Sequence, residues 1–125
     1  MILDTNFVSA LADGNEFAAA TVGTRRTWVP SVVLGEYLAG LPLSRHRLDR
    51  ERWITQHIDD DEVILQISRH TARHYSDIWN ELRAMGRSIP QNDIWIAALA
   101  REHKMPIVSK DAHFDAVPGI TRVGW

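Results

Sequence analysis

The chain has 125 residues, of which 45% are hydrophobic and 24% are charged, and its formal net charge is −2. This length predicts a single domain, residues 1–125, with a core that buries roughly two-thirds of the unfolded surface. The charge excludes a protein coated with basic residues, although the 14 Lys and Arg residues could still cluster on a nucleic-acid-binding face. Because the chain has no cysteine, disulfides, thiolate catalysis and cysteine-type zinc sites are also excluded.

The sequence lacks the features of membrane and secreted proteins. No apolar run approaches the roughly 18 residues that a membrane-spanning helix needs. The start, Met1 to Asn6, has neither the basic nor the apolar region of a signal peptide. We therefore expect a soluble, cytoplasmic protein that does not contact a membrane.

The pattern of apolar residues predicts short strands that alternate with helices. In chain order, the prediction is a strand at 1–3, a helix from 5, a helix over 16–22, a strand at 28–29, a helix from 31, a helix over 44–58, a strand at 63–65, a helix over 68–85, a helix from 92, a strand at 107–108, a helical turn at 112–115 and a strand at 120–123. Ser31 and Asn92 are predicted to cap their helices. This alternation predicts an α/β fold with three α/β/α layers and a central, mainly parallel sheet.

Four acidic residues occupy comparable places in this predicted fold. Asp4 follows the first strand and Asp111 follows a late one, while Glu36 and Asp93 lie in the early turns of two helices. The carboxyl ends of parallel strands share one edge of the sheet, so the four side chains can converge there. Clustered carboxylates repel one another, and an all-oxygen site favours Mg²⁺ or Mn²⁺ over zinc. Spacing alone establishes neither the convergence nor the metal.

Four blocks of sequence, in order along the whole chain, resemble the PIN-domain family. They are Met1-Ile-Leu-Asp-Thr-Asn-Phe-Val-Ser, Val29-Pro-Ser-Val-Val-Leu-Gly-Glu-Tyr, Asn92-Asp-Ile-Trp-Ile-Ala-Ala and Val108-Ser-Lys-Asp-Ala-His-Phe. The ending Val117-Pro-Gly-Ile is similar to the VapC-type toxins of bacterial and archaeal type II toxin–antitoxin pairs. The resemblance implies a three-layer PIN-like domain.

The resemblance also implies a Mg²⁺- or Mn²⁺-dependent endoribonuclease that cleaves structured RNA, such as tRNA or rRNA, with a metal-activated water. The family's catalytic acids correspond to Asp4, Glu36, Asp93 and Asp111. The three aspartates are expected nearest the metal, and the glutamate is expected to hold a metal-bound water or a second ion. Ser109 corresponds to a hydroxyl residue beside the metal, and Asn6 to a polar residue that supports Asp4.

Two protein partners are implied by the same resemblance. One is a second copy of the chain in a homodimer. The other is a cognate, VapB-like antitoxin that lays an apolar helix over the groove between the early helices and inserts a basic side chain among the carboxylates.

Each acid also has a simpler structural explanation. Asp4 could cap a helix, Asp93 could stabilise a helix dipole, Glu36 could be solvated and Asp111 could belong to a turn. For Asp115 we favour a turn role.

Other polar and aromatic residues have two explanations each. His70 and His74 are more often surface residues than a metal pair. The arginines of one predicted helix form either a solvated face or an RNA contact: Arg45, Arg47, Arg50 and Arg52. The acidic run at 59–61 is expected to be a solvated loop. Four tryptophans are expected in the core or an interface rather than as base-stacking platforms: Trp28, Trp53, Trp79 and Trp95.

Other functions fit the sequence less well. A receiver-like signalling domain needs a pair of acids after the first strand, where the chain has Asp4-Thr5-Asn6. A haloacid-dehalogenase-type phosphatase needs an aspartate at the position of Asn6. A catalytically silent PIN-like subunit that binds a partner or DNA is the alternative that remains.

Overall fold

The computed structural model describes residues 1–58 and 63–125. The strands in these ranges are β1 (Ile2–Leu3), β2 (Val29–Pro30), β3 (Ile64–Leu65), β4 (Ile107–Val108) and β5 (Arg122–Val123). The α-helices are α1 (Thr5–Ala12), α2 (Glu16–Val22), α3 (Ser31–Gly40), α4 (Arg47–His57), α5 (Arg69–Ala84) and α6 (Gln91–His103). Short 3₁₀ helices span Leu41–Leu43 and Ala112–Ala116. None of the described helices is both long enough and apolar enough to cross a membrane.

The strands lie in the order β3-β2-β1-β4-β5. β1 pairs with β4, β4 with β5, and β2 with β3. The two groups meet at a bridge between Ile2 and Trp28, where the amide of Leu3 donates to the Trp28 carbonyl at 3.0 Å. Every pairing in the described ranges is parallel, which confirms the predicted α/β/α fold. The carboxyl ends of β1, β2 and β4 therefore lie along one edge of the sheet.

The centre of the sheet is covered on both faces. Ile2, Ile107 and Val108 are fully buried, as expected for parallel strands between two helical layers. α6 buries an almost continuous apolar surface made of Ile94, Ile96, Ala97, Ala98, Leu99 and Ala100. This helix is thus part of the core, and its first turn is fixed relative to the sheet.

Two predicted helix caps are wrong. α3 follows Pro30 and begins at Ser31 itself, whose hydroxyl donates to the Leu65 carbonyl at 3.3 Å. α6 likewise follows a proline and begins one residue before Asn92, whose side-chain amide donates to Glu36. A proline with extended ψ precedes each helix, so both polar side chains are free to make tertiary contacts.

Other boundaries moved by a few residues. The helix predicted over 44–58 begins at Arg47, and the strand predicted at 28–29 is Val29–Pro30, with Trp28 at the bridge to β1. The acidic run predicted as a loop at 59–61 lies outside the described residues.

A buried hydroxyl connects the start of α5 to the end of α6. Ser68 caps α5 by accepting from the amides of His70 and Thr71. The Thr71 side chain accepts from the Ser68 amide at 3.0 Å and donates to Glu102 at 2.6 Å. Thr71 is fully buried, so this network has little access to water that could replace a lost hydrogen bond.

Replacing Thr71 with valine should therefore destabilise the protein. Thr71→Val keeps the shape of the side chain but removes the hydrogen bond donated to Glu102 and the one accepted from the Ser68 amide. We expect a loss of about 1–3 kcal/mol in the free energy of unfolding, measured by urea denaturation. The matched control is Thr55→Val, because Thr55 is exposed on α4 and its hydroxyl donates to the Glu51 carbonyl within the same helix. That change should stay within about 0.5 kcal/mol. Equal effects of the two substitutions would contradict the network.

Candidate metal centre

Asp4 lies where β1 meets β4 and is almost completely buried. One carboxylate oxygen caps α1 by accepting from the Phe7 amide at 2.8 Å. The other oxygen accepts from the hydroxyl of Ser109, the residue that follows β4. Asp4 is therefore a helix cap, as its simpler explanation proposed, and it is also aimed at the carboxyl end of the neighbouring strand. The structure brings Asp4 and Ser109 together as the sequence predicted.

Asp93 and Asp111 meet at the same edge, with His113 between them. Asp93 lies in the first turn of α6, and Asp111 caps the 3₁₀ helix that follows β4. His113 Nδ1 is 3.2 Å from an Asp93 oxygen and 3.0 Å from an Asp111 oxygen. One donor atom from each of the three residues lies within 4.8 Å of the other two. The Asp111 amide also donates to the Ser109 hydroxyl at 2.9 Å, which connects this group to Asp4.

Glu36 is held in place from two sides. Its two carboxylate oxygens accept from the Thr5 hydroxyl and from the Asn92 amide. Thr5 follows Asp4 and Asn92 precedes Asp93 in the chain, so the supports of Glu36 are the immediate neighbours of two acids of the same edge. We refer to Asp4, Glu36, Asp93 and Asp111 as the acidic cluster.

The pKa values of Asp4 and Asp93 are both raised, as expected for partly or fully buried carboxylates near other acids. Burial raises the pKa of Asp4, and the nearby charges of Asp111 and Glu36 raise it further, against the hydrogen bonds from Ser109 and Phe7. Burial also raises the pKa of Asp93, with the same two carboxylates adding to the effect and His113 opposing it. Ionising Asp4 and Asp93 is therefore less favourable in the folded chain than in water.

The residues of the acidic cluster fit a hard divalent cation. The cluster offers carboxylate oxygens, which Mg²⁺ and Mn²⁺ prefer as ligands, and contains no sulfur donor. A cation placed among these oxygens would offset the burial and the repulsion that raise the two pKa values.

Sequence reasoning missed three residues at this edge: Thr5, Asn92 and His113. All three lie in the resembling blocks, where Thr5 and Asn92 are next to predicted acids and His113 follows Asp111 by two residues. Asn92 was predicted only as a helix cap. Asn6 is exposed, and the partners of the Asp4 carboxylate in the described ranges are Ser109 and Phe7. The supporting role of Asn6 stays a prediction.

The remaining candidates have structural roles or lie outside the cluster. Asp115 makes a bidentate pair with Arg122, which itself donates to the Ser109 carbonyl. His70 and His74 belong to no group of potential ligands among residues 1–58 and 63–125.

Two of the four arginines in and before α4 are paired within the chain. Arg50 donates twice to Asp13, and Arg47 donates to Glu51 one turn along the helix. Arg50 thus ties α4 to the turn after α1, which favours a structural role for it.

The raised pKa of Asp93 predicts how metal-free stability depends on pH. Because the pKa is higher in the folded chain than in the unfolded one, ionised Asp93 destabilises the fold at every pH above the folded pKa. The destabilisation disappears as the pH falls through the folded pKa towards the ordinary value of 3.8. In EDTA at near-neutral pH, Asp93→Asn should therefore raise the melting temperature, and the gap to wild type should close on acidification.

The control for this prediction is Asp77→Asn, which removes the same charge from an exposed position on α5. It should leave the melting temperature nearly unchanged. A metal-free Asp93→Asn protein that melts below wild type at near-neutral pH would contradict the electrostatic account.

The chain is similar to known proteins in both sequence and structure. The sequence pattern that defines the PIN domain matches residues 1–120. The chain is 28% identical over 123 residues to Ribonuclease VapC5 of Mycobacterium tuberculosis, covering 98% of this chain and 90% of that protein. Similar solved structures include VapBC2 of Rickettsia felis bound to a promoter DNA fragment, with a TM-score of 0.85, 20% identity and coverage of 99% and 97%. VapBC-5 of Mycobacterium tuberculosis gives a TM-score of 0.75, 24% identity and coverage of 98% and 94%. The chain belongs to the PIN domain family.

Proposed function

We propose that this chain is a VapC-type toxin, an endoribonuclease that hydrolyses RNA with Mg²⁺ or Mn²⁺. The observation that carries the proposal is that Asp93 and Asp111 meet at one edge of the sheet of a PIN domain, with Asp4 connected to Asp111 through Ser109. Glu36 is connected to the same edge through Thr5 and Asn92. The similarity to a protein named as a ribonuclease, along nearly the whole chain, supports it.

The residues of the acidic cluster have two different roles. Asp4, Asp93 and Asp111 hold the ion, and Ser109 keeps the Asp4 carboxylate turned towards the other two. When bound, the ion activates a water and neutralises the charge that develops on the scissile phosphate. Glu36, fixed by Thr5 and Asn92, accepts a hydrogen bond from the attacking water and orients it.

A groove between α5 and the start of α6 is suited to single-stranded RNA. It has a volume of about 640 Å³, and its lining includes Trp79, Arg83, Arg87 and Gln91. Gln91 is in the first turn of α6, which also carries Asp93. Trp79 was expected in the core or an interface, but it is 44% exposed, so its ring is available to stack on an unpaired base, while the arginines could contact phosphates. Such a surface favours the looped parts of structured RNA, as in tRNA or rRNA.

The early helices present an apolar surface for a partner. Phe17, Leu43 and Leu48 are 80%, 91% and 74% exposed, on α2, the 3₁₀ helix after α3, and α4. A second groove of about 390 Å³ lies nearby, and Leu11, Val22 and Trp53 line part of it. We assign this surface to an apolar helix of a VapB-like antitoxin, in line with the VapBC complexes that share the fold.

We expect the toxin to act as a homodimer in the cytoplasm. The alternative, a catalytically silent subunit that binds a partner or DNA, is disfavoured, because such a protein has no need for four convergent carboxylates.

The proposed activity predicts metal-dependent cleavage of RNA by the chain purified without antitoxin. Asp93→Asn should lower the rate at least about 100-fold, because it removes a charged metal ligand. Asp77→Asn should cleave like wild type, since Asp77 is exposed on α5 and outside the acidic cluster. The measurement is cleavage of total cellular RNA with Mg²⁺ or Mn²⁺, with the new ends mapped by sequencing.

Cleavage at a few discrete positions, absent in EDTA and in Asp93→Asn, would support the proposal and identify the substrate. Cleavage that persists in both would point to a contaminating nuclease or a different mechanism. No cleavage together with no metal binding would favour the silent subunit.

A further inference from the structure

Among the described residues, His113 is the one potential metal ligand at the acidic cluster that offers a nitrogen atom. It lies in the second position of the 3₁₀ helix Ala112–Ala116, and its side chain is half-exposed. Its Nδ1 atom, rather than the outer ring nitrogen, faces both Asp93 and Asp111.

The position of His113 is fixed by the backbone. The His113 amide donates to an Asp111 oxygen at 2.9 Å, which is the capping bond of the 3₁₀ helix. The same Asp111 oxygen lies 3.0 Å from His113 Nδ1. The spacing Asp-x-His at the end of β4 therefore presents a carboxylate and an imidazole side by side.

The distances among these atoms match the spacing of ligands around one ion. In an octahedral site with bonds of about 2.1 Å, neighbouring ligand atoms lie about 3 Å apart. His113 Nδ1 is 3.0 Å and 3.2 Å from its two carboxylate neighbours. His113 Nδ1 can thus be the neighbour of both carboxylate oxygens in one coordination sphere.

We propose that His113 is a nitrogen ligand of the ion at this centre and that it makes the centre prefer Mn²⁺ to Mg²⁺. Mg²⁺ takes oxygen ligands almost exclusively, whereas imidazole binds transition metals more strongly, so an added nitrogen favours Mn²⁺. The inference rests on the proposed function only in taking the acidic cluster as the place of the ion.

A different role for His113 makes the opposite prediction. A positively charged imidazole between two carboxylates would be an ion pair that competes with the metal. Removing it would then strengthen metal binding. If the histidine is a ligand, removing it weakens the binding of Mn²⁺.

The test compares wild type with His113→Asn and His113→Ala. Asparagine places an amide oxygen near the position of Nδ1, so it preserves an oxygen ligand but removes the nitrogen. Pulsed electron paramagnetic resonance of the protein with one equivalent of Mn²⁺ should show nitrogen coupling in wild type and none in His113→Asn. Equilibrium dialysis should show Mn²⁺ affinity reduced about 10-fold or more in His113→Ala, with a much smaller change for Mg²⁺. Circular dichroism verifies that the variants are folded.

Three results would overturn the inference: no nitrogen coupling in wild type, coupling that survives in His113→Asn, or a higher Mn²⁺ affinity in His113→Ala. If Mn²⁺ binds without nitrogen coupling while cleavage still depends on metal, the inference fails and the proposed function stands. If wild type binds neither ion and cleaves nothing, both fail.

Discussion

The parallel pairing of β1 with β4 is the contact on which the candidate centre depends. It places Asp4 against Ser109, which is 105 residues away in the chain. Each strand has only two residues, so few backbone hydrogen bonds hold them together. Burial of Ile2, Ile107 and Val108 supplies the rest, because these side chains are fully enclosed by helices. The geometry of the acidic cluster is therefore a consequence of core packing.

The same packing places the acids where they are costly to ionise. Asp4 is almost fully buried and Asp93 partly so, and each lies near other carboxylates that raise its pKa. The protein holds them with hydrogen-bond donors contributed by Thr5, Asn92 and Ser109. These donors orient the carboxylates but supply no net positive charge. Under the proposed function a divalent cation supplies that charge, so stability without metal and catalysis with metal make opposite demands on the same residues.

Much of the fold followed from the sequence because the determining patterns are local. Alternation of short apolar runs with helical periodicity predicted the parallel sheet, and the position of Asp4 and Asp111 after strands predicted the shared edge. The helix caps failed because Pro30 and Pro90 precede the helices, while Ser31 and Asn92 contact distant elements instead. Rules based on neighbouring residues pair a polar side chain at a helix start with the nearest backbone amide. They do not consider a partner such as Glu36, which is 56 residues from Asn92.

Only part of the candidate site was predicted, for a related reason. The acids of the cluster and Ser109 were identified from strand ends and from the resemblance to the PIN domain. His113 carried no periodicity or charge pattern of its own, and its relation to Asp93 exists only after α6 packs beside the end of β4. Thr5 likewise has no distinguishing pattern in the sequence, because its hydroxyl contacts Glu36 only when α1 packs against α3. Side chains that complete a site through tertiary contact leave little trace in a single sequence.

The central claim is that the acidic cluster holds a divalent cation, and diffraction from crystals soaked in Mn²⁺ tests it most directly. An anomalous difference map should show a peak enclosed by the carboxylates of Asp4, Asp93 and Asp111, absent from crystals of Asp93→Asn treated in the same way. A map with no peak at the cluster under saturating Mn²⁺, or with peaks only elsewhere on the surface, would contradict the account.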